Sequence, residues 1–372
     1  MLNRRTTLTT PPRRAARTLL AGLVASMLVL TACGGEDEGT SGSGSGTSSG
    51  GALPLKMRST GPTFTDLPTI VILAQDYFKE VGLDADFEFI SASNAATATQ
   101  GLIAGEMDVA SGGTGSLYSA YAQGMKDLVS LGTVNPAMTF GLAVNNETAK
   151  QMAAKGVTPD SPVEQRVQAL KGMSLASSPQ GSTGQKYLKT MLSTYGVDPA
   201  KDVTLVPNAD NAAQLAAARQ GRVNGFANSF PNTNLPEADG WGVLWLNFAE
   251  DLPQILPLAA HEVYTSRKWL DKNPEAAKRL MKAYWLALAD LQKPTPELKE
   301  KIKNMEAFKN LNPKGFDLGW DLAVPVYKGA TPVTTEEMFK NQLNLVNFES
   351  KAPVDFKMDD LYDLSAAEGS KP

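Results

Sequence analysis

The stretch Ala104-Gly105-Glu106-Met107-Asp108-Val109-Ala110-Ser111-Gly112-Gly113-Thr114-Gly115-Ser116 decides the fold. Gly105 indicates the end of a helix, because glycine readily adopts the left-handed conformation that closes one. Met107 to Ala110 is short and apolar, which favours a buried strand. The three later glycines predict a loop with unshielded backbone N–H groups, followed by a second helix. Such a loop offers donors to a small polar ligand, and it is also typical of an ordinary strand-to-helix turn.

The same order of elements is predicted in two parts of the chain. Residues 55–110 and 173–227 each read as strand, helix, strand, helix, strand, with a loop after each strand. Asn94 precedes Ala110 by sixteen positions, and Asn211 precedes Ala227 by the same distance. Parallel strands joined by right-handed crossovers carry their carboxyl-end loops on one edge, and two such edges facing each other form a cleft. The sequence therefore predicts an α/β protein with two similar halves around a cleft.

Two later segments have helical periodicity without strands between them. These are residues 270–291, which prolines 294 and 296 terminate, and residues 336–346. We expect both helices to return and pack on the first domain.

Residues 1–32 are predicted to be an export signal. Five arginines precede the apolar run Leu19 to Leu30, which is too short to span a bilayer as a stable helix. Leu30-Thr31-Ala32-Cys33 resembles the lipobox of bacterial lipoproteins, and Cys33 is the only cysteine in the sequence. We therefore expect Cys33 to be acylated and inserted in the lipid bilayer. Residues 33–52, rich in Gly, Ser and Thr, are expected to form a flexible tether.

The charge balance argues against a nucleic-acid partner. The chain has 35 basic and 39 acidic residues, and removal of the signal leaves 30 basic residues and a net charge near −9. An acidic protein repels the phosphate backbone of nucleic acids. Beyond the signal, the sequence has no segment that is long and apolar enough to span a membrane.

The chain from Leu53 to Phe348 resembles the substrate-binding lipoproteins of ABC importers for sulfonates, taurine, nitrate and pyrimidine precursors of thiamine. Four segments carry the resemblance. Residues 77–83 are the end of a helix followed by Gly-Leu, before an acidic strand, and residues 101–110 contain Gly-Glu-Met-Asp-Val-Ala. Residues 170–175 contain Leu-Lys-Gly before a strand, and residues 266–275 contain Leu-x-x-x-Pro-Glu at the start of a helix.

The resemblance implies the type II periplasmic-binding-protein fold, with two doubly wound α/β domains joined by two hinge crossings. Domain 1 is then residues 53–137 plus 256–349, domain 2 is residues 138–255, and residues 350–372 form a polar tail. The hinge residues carried over are Asn135, Pro136 and Pro257. The implied function is delivery of a small anionic or polar organic ligand to an ABC permease by a monomer on the extracytoplasmic face of the cell membrane.

The resemblance leaves the ligand open among sulfonate, taurine, a nitrate-like oxyanion, a pyrimidine and an aromatic acid. The loop Asn228 to Asn232 lacks the aromatic-acid-proline sequence common in sulfonate binders.

The predicted cleft loops are rich in uncharged hydrogen-bond donors. Hydroxyls and free amides at helix N-termini bind anions without a salt bridge, although the same residue types form caps and turns. One arginine could clamp an acidic group, and two phenylalanines could stack on an organic body. The candidate ligand-binding residues are Arg58, Ser59, Thr60, Thr63, Phe64, Ser93, Asn94, Gly113, Thr114, Gly115, Gln180, Ser182, Thr183, Asn208, Asn228 and Phe230.

Enzymatic interpretations have little support in the sequence, and we expect no cofactor and no metal. The single Gly-x-Ser-x-Gly motif, Gly46 to Gly50, lies in the low-complexity tether. His261 is the only histidine, so a catalytic triad or a zinc site would have to use it. Its apolar neighbours predict a strand and a structural role. An enzyme related to the fungal pyrimidine synthases, or a scaffold lipoprotein with an empty cleft, are the alternatives.

Overall fold

The structure is a computed structural model, and it describes residues 51–90, 95–348, 350 and 352–372, with the backbone alone for residues 95–97. The predictions on the export signal, Cys33, the tether, Ser93 and Asn94 lie outside the described residues.

The described residues form ten strands and seventeen α-helices. The strands are β1 (Leu53–Thr60), β2 (Leu83–Ile90), β3 (Val109–Gly113), β4 (Leu128–Asn135), β5 (Phe140–Asn145), β6 (Ser174–Ser177), β7 (Thr204–Pro207), β8 (Gly225–Ser229), β9 (Gly242–Asn247) and β10 (His261–Ser266). The helices are α1 (Leu67–Gln75), α2 (Tyr77–Glu80), α3 (Ala95–Ala104), α4 (Thr114–Ala122), α5 (Asn146–Ala153), α6 (Val163–Gln168), α7 (Thr183–Thr194), α8 (Asn211–Arg219), α9 (Leu235–Ala238), α10 (Phe248–Asp251), α11 (Arg267–Lys272), α12 (Pro274–Gln292), α13 (Pro296–Lys303), α14 (Pro313–Ala323), α15 (Glu336–Asn347), α16 (Met358–Leu361) and α17 (Ser365–Glu368).

The strands form two five-stranded sheets of matching topology. The first sheet has the order β2-β1-β3-β10-β4 and the second has the order β7-β6-β8-β5-β9. In each sheet four strands run in the same direction, and the strand that the chain supplies after crossing from the other sheet, β10 or β5, is antiparallel to both neighbours. We call each sheet, with the helices packed on it, the first and the second lobe. The predicted duplication is confirmed.

The glycine-rich segment of the opening stretch is a strand end and not a loop. Strand β3 continues through Gly112 to Gly113, and α4 begins at the next residue, Thr114. The prediction of a loop was wrong because β10, about 150 residues later, pairs antiparallel with β3, with His261 opposite Gly113. This pairing extends the strand beyond its apolar residues.

Two neighbouring elements also differ from the sequence pattern. Strand β1 runs to Thr60 because it pairs with β2 in register up to Ile90. The single helix predicted between the first two strands is two helices, because Asp76 adopts a left-handed conformation with φ 59° and interrupts it. Aspartate tolerates this conformation better than most residues.

The first lobe has a core shared between distant parts of the chain. Leu280 and Tyr284 of α12 are fully buried in the same cluster as Ile70 and Val71 of α1. The expected return of residues 270–291 to the first part of the chain is therefore confirmed. Helix α15 also packs on α4 of the first lobe, as expected, and it contacts α7 in addition, so it connects the two lobes.

The segment predicted as a polar tail packs on the first lobe. Its helices α16 and α17 bury Leu361 and Ala367 completely, and Tyr362 forms a bridge to Ser130 of β4. The apolar residues are few and lie between charged ones, so their spacing does not predict a buried face.

Two segments connect the sheets, residues 136–139 and residues 248–260. Pro136 and Pro257 lie in these segments, and Asn135 ends β4. The packing of Phe230 in the core of the first lobe also links the two lobes, and the Phe230 carbonyl accepts a hydrogen bond from the Phe64 backbone N–H at 2.8 Å.

Within the described residues, no helix combines the length and apolar character that a membrane span needs.

Candidate functional site

A cavity of about 610 Å³ lies between the two lobes, at the carboxyl ends of their parallel strands. Its wall is formed by Thr60, Gly61, Thr63, Thr65, Gly113, Ser116, Ala260 and His261 of the first lobe and its connections, and by Phe140, Ser178, Pro179, Ser182, Thr183, Gly184, Tyr187, Asn208, Ala209, Asp210, Asn211, Gln214, Asn228 and Ser229. The two sets of strand ends therefore face each other across one space, as the sequence predicts.

The second-lobe wall contains amide side chains that bind each other. Asn228 Nδ2 donates to Asn211 Oδ1 at 2.9 Å and to Gln214 Oε1 at 3.1 Å. Gln214 Nε2 in turn donates to the Asn208 carbonyl at 2.7 Å. Asn228 Oδ1 accepts from the Ser229 N–H at 2.8 Å. These bonds fix the orientation of the amides, so the wall is ordered before any ligand binds.

The helix N-termini of this wall are already capped by the protein. Asp210 Oδ1 accepts from the backbone N–H groups of Ala212 and Ala213 at 2.8 and 3.2 Å at the start of α8. Ser182 Oγ accepts from the Gln185 N–H at 3.3 Å at the start of α7. Capping oxygens of this kind satisfy the donors that an anion would otherwise use.

The two lobes touch directly at one edge of the cavity. The Gly115 N–H of α4 donates to Thr183 Oγ1 of α7 at 3.1 Å. A Cβ at Gly115 would lie 2.6 Å from that oxygen, and one at Gly113 would lie 3.2 Å from it. Glycine at position 115 therefore permits this approach, because any side chain there would collide with Thr183.

A buried polar network lies behind the first-lobe wall. Asp66 accepts hydrogen bonds from Ser59 Oγ and from Thr69 Oγ1, the latter at 2.7 Å. His261 Nε2 lies 3.1 Å from Ser111 Oγ and 3.5 Å from Asp66 Oδ1. Burial raises the pKa of Asp66 to about 7, since desolvation outweighs the hydrogen bonds that favour the carboxylate. Burial lowers the pKa of His261 to about 3, so this histidine is uncharged at neutral pH.

The next residue of β10 belongs to a separate buried network on the other side of the sheet. Glu262 accepts a hydrogen bond from Tyr362 of the C-terminal segment, and the Tyr362 hydroxyl lies 2.6 Å from that of Tyr118. Burial raises the pKa of Glu262 to about 8. This network does not line the cavity and connects the C-terminal segment to the first sheet.

The structure brings seven of the sixteen predicted residues into the cavity wall. They are Thr60, Thr63, Gly113, Ser182, Thr183, Asn208 and Asn228. Thr114 and Gly115 lie at the contact between the lobes, where the Thr114 hydroxyl donates to the Ala259 carbonyl. Gln180 is next to wall residue Pro179 and is not itself in the wall.

Four predicted residues lie elsewhere for physical reasons. The Arg58 guanidinium faces β2, 3.2 Å from Asp86 and 3.4 Å from Glu88, so it does not reach the cavity. Ser59 points into the core and donates to Asp66. Phe64 and Phe230 are buried in the first-lobe core. A buried ring of this size is held by packing and does not stack on a ligand.

The sequence reasoning did not select several wall residues. Phe140 and His261 belong to the antiparallel strands, which local strand-helix-strand patterns do not reveal. Tyr187 lies inside α7, one turn beyond its N-terminus. Asp210 caps α8, and its position at the end of the loop after β7 could have indicated a wall residue. Among the described residues, no three His, Cys, Asp or Glu side chains are grouped so as to hold a metal ion.

Two α/β lobes with this strand order, two chain crossings and a cavity between the strand ends define the periplasmic-binding-protein fold of type II. The model of the NMT1-like family matches residues 59–304, and the chain belongs to this family. YtlA from Bacillus subtilis strain 168 is 24% identical over 221 residues, which are 59% of this chain. The chain spans 60% of the length of YtlA.

Solved structures share the fold at low sequence identity. The periplasmic nitrate-binding protein NrtA from Synechocystis PCC 6803 superposes with a TM-score of 0.63 at 14% identity, over 86% of this chain and 88% of NrtA. The periplasmic aliphatic sulphonate-binding protein SsuA from Escherichia coli has a TM-score of 0.58 at 17% identity, over 82% of this chain and 91% of SsuA. The alkanesulfonate-binding protein SsuA from Xanthomonas axonopodis pv. citri, bound to MOPS, has a TM-score of 0.56 at 17% identity, over 73% of this chain and 84% of that chain.

Proposed function

We propose that this protein is an extracytoplasmic solute-binding lipoprotein that captures a small polar organic molecule and delivers it to an ABC permease. In this proposal it acts as a monomer and has no catalytic role. In this proposal the two domains are residues 53–137 plus 256–349 and residues 138–255, and they move about Asn135, Pro136 and Pro257.

The observation that carries the proposal is a cavity with one wall on each lobe and a direct contact between the lobes at its edge. A ligand that contacts both walls binds the closed form more tightly than the open form. It therefore shifts the population toward closure. The names of NrtA and SsuA as binding proteins support this function, and family membership makes the comparison relevant.

Binding and closure are tested together on the purified full chain in detergent. A compound that binds the folded protein raises the melting temperature in proportion to the logarithm of its concentration above Kd. The same compound should shorten the distance between spin labels placed on α3 and α8. A panel of nitrate, taurine, alkanesulfonates, pyrimidines and aromatic acids that changes neither quantity would refute the proposal.

The lipid anchor is tested by Cys33→Ser. We expect this variant to leave the membrane fraction, because a polar serine carries no acyl chain, while its ligand affinity stays that of the wild type. Retention of the variant in the membrane fraction would contradict the proposed anchor.

A further inference from the structure

The charge of the cavity wall indicates which ligands it accepts. Among the described residues, the wall contains no lysine and no arginine, and its one side chain of fixed charge is the carboxylate of Asp210. Arg58, the one basic residue among the predicted ligand-binding residues, forms ion pairs with Asp86 and Glu88.

The two remaining titratable wall residues are uncharged at neutral pH. His261 is buried with a pKa lowered to about 3, and burial raises the pKa of Tyr187 above its ordinary value. An anion in this cavity would therefore meet one negative charge and no positive side chain. Coulomb repulsion across a few ångström opposes such binding.

The protein itself uses part of the backbone N–H groups that could replace the missing cation. An anion can bind without a salt bridge when helix N–H groups point at it. Here Asp210 Oδ1 accepts from two N–H groups at the start of α8, Ser182 Oγ accepts from one at the start of α7, and Thr183 Oγ1 accepts from the Gly115 N–H of α4. Fewer donors therefore remain for an anion at the three helix starts that border the cavity.

The rest of the wall suits an uncharged, flat molecule. The partly exposed ring of Phe140 lines the cavity together with Pro179, and it packs on the buried ring of Tyr187 at 5.8 Å between ring centroids. The fixed amides of Asn208, Asn211 and Asn228 supply polar edges. The Asp210 carboxylate is exposed. Its Oδ1 accepts both capping hydrogen bonds from α8, and its Oδ2 accepts neither of them.

We infer that the cavity selects a flat ligand with no net negative charge that presents a hydrogen-bond donor, such as an amino group, to Asp210. This inference rests on the proposed function and makes Asp210 the residue that determines ligand charge. Oxyanions and sulfonates, which the sequence leaves open, are then poor ligands.

The test uses a panel of six-membered-ring compounds in matched anionic, uncharged and amino-bearing forms, together with nitrate and methanesulfonate. Melting temperatures of the full chain at pH 7 give the ranking. We expect uncharged or amino-bearing members to raise the melting temperature and their anionic counterparts to bind about ten-fold more weakly. An anion that binds as well as its uncharged counterpart would overturn the inference but leave the proposed function intact. A panel without any binder would overturn both.

The variant Asp210→Asn separates charge from structure. Asparagine caps a helix as well as aspartate does, so α8 should keep its N-terminal hydrogen bonds. We expect the affinity for amino-bearing members to fall and that for their anionic counterparts to rise. Asp198→Asn, a control in the same lobe outside the cavity wall, should change neither. Equal weakening of both forms by Asp210→Asn would mean a purely structural role and would contradict the inference.

Discussion

The two walls of the cavity differ in where their polar groups are satisfied. Behind the first-lobe wall, Asp66, Ser111 and His261 bind each other inside the core, and the surface left to the ligand is mostly threonine, serine and glycine. The second-lobe wall presents amides and a carboxylate directly at the surface. On the proposed function, this difference gives the second lobe the role of recognising the ligand and the first lobe that of a fixed surface against which it closes.

The largest expected effect concerns the core that fixes the first wall. Phe64 contacts Phe316 edge-on at 5.2 Å between ring centroids and holds the Phe230 carbonyl through its backbone. Phe64→Ala should lower the free energy of unfolding by about 3–5 kcal/mol, because it removes a fully buried ring. Denaturant unfolding measures this. Phe64→Leu keeps most of the volume and should lose clearly less; equal losses would argue against packing as the cause.

The next effect concerns the contact between the walls. Gly115→Ala places a Cβ against Thr183 Oγ1, and overpacking of this kind costs about 1–3 kcal/mol, which should appear as weaker binding with normal stability. Calorimetric titration with a ligand from the panel measures the affinity.

Two further variants control for this effect. Gly51→Ala, where no atom lies within 4 Å of the new Cβ, should have no effect. Adding Thr183→Ala to Gly115→Ala should restore part of the affinity, because it removes the colliding oxygen. Failure of the double variant to recover would place the cause elsewhere.

A third prediction concerns the buried Glu262. Its pKa is raised to about 8 in the folded protein against 4.5 when exposed, so between these values the folded state binds more protons than the unfolded state. The free energy of unfolding of the wild type should therefore fall as pH rises through this window. Glu262→Gln removes the titrating carboxyl. The free energy of unfolding of the variant should therefore decline less steeply with pH, by on the order of 1 kcal/mol per pH unit.

Urea unfolding at four pH values from 5 to 8 gives the free energy of unfolding as a function of pH for the wild type and for Glu262→Gln. Asp66 and His261 titrate equally in wild type and variant, and the tyrosines that face Glu262, Tyr118 and Tyr362, have pKa values raised above their ordinary value. The difference between the curves therefore reports Glu262. Parallel curves would contradict a raised pKa.

The smallest effect is expected at Arg58. Its ion pairs with Asp86 and Glu88 involve exposed carboxylates, and such pairs contribute about 0–1 kcal/mol. Arg58→Gln should therefore change stability slightly and ligand affinity not at all. A marked loss of affinity in a calorimetric titration would return Arg58 to the binding site.

The sequence predicts the elements that follow from local pattern. Asn208, Asn228, Ser182 and Thr183 line the cavity because they lie at or beyond the carboxyl ends of parallel strands, which share one edge of a sheet. The acidic residues of β2 alternate along the strand, so the partners of Arg58 were also visible in the sequence once the pairing of β1 with β2 was considered.

The remaining features depend on contacts between distant residues. His261 enters the wall because β10 pairs with β3 across about 150 residues, and no local pattern specifies that pairing. Phe64 and Phe230 lie at loop edges, and the ring of Phe64 is covered by Phe316 of α14, far later in the chain. Local periodicity indicates a strand or helix, but not which distant element will cover its neighbouring loop.

The direction of β1 sets where the protein can be attached without blocking the ligand. Its eight residues begin at Leu53 and end at Thr60 in the cavity wall, a distance of about 25 Å. Gly51 therefore lies near the end of β1 that is away from the cavity wall. A dye or a sensor surface coupled at residue 51 should leave uptake and release of the ligand unobstructed.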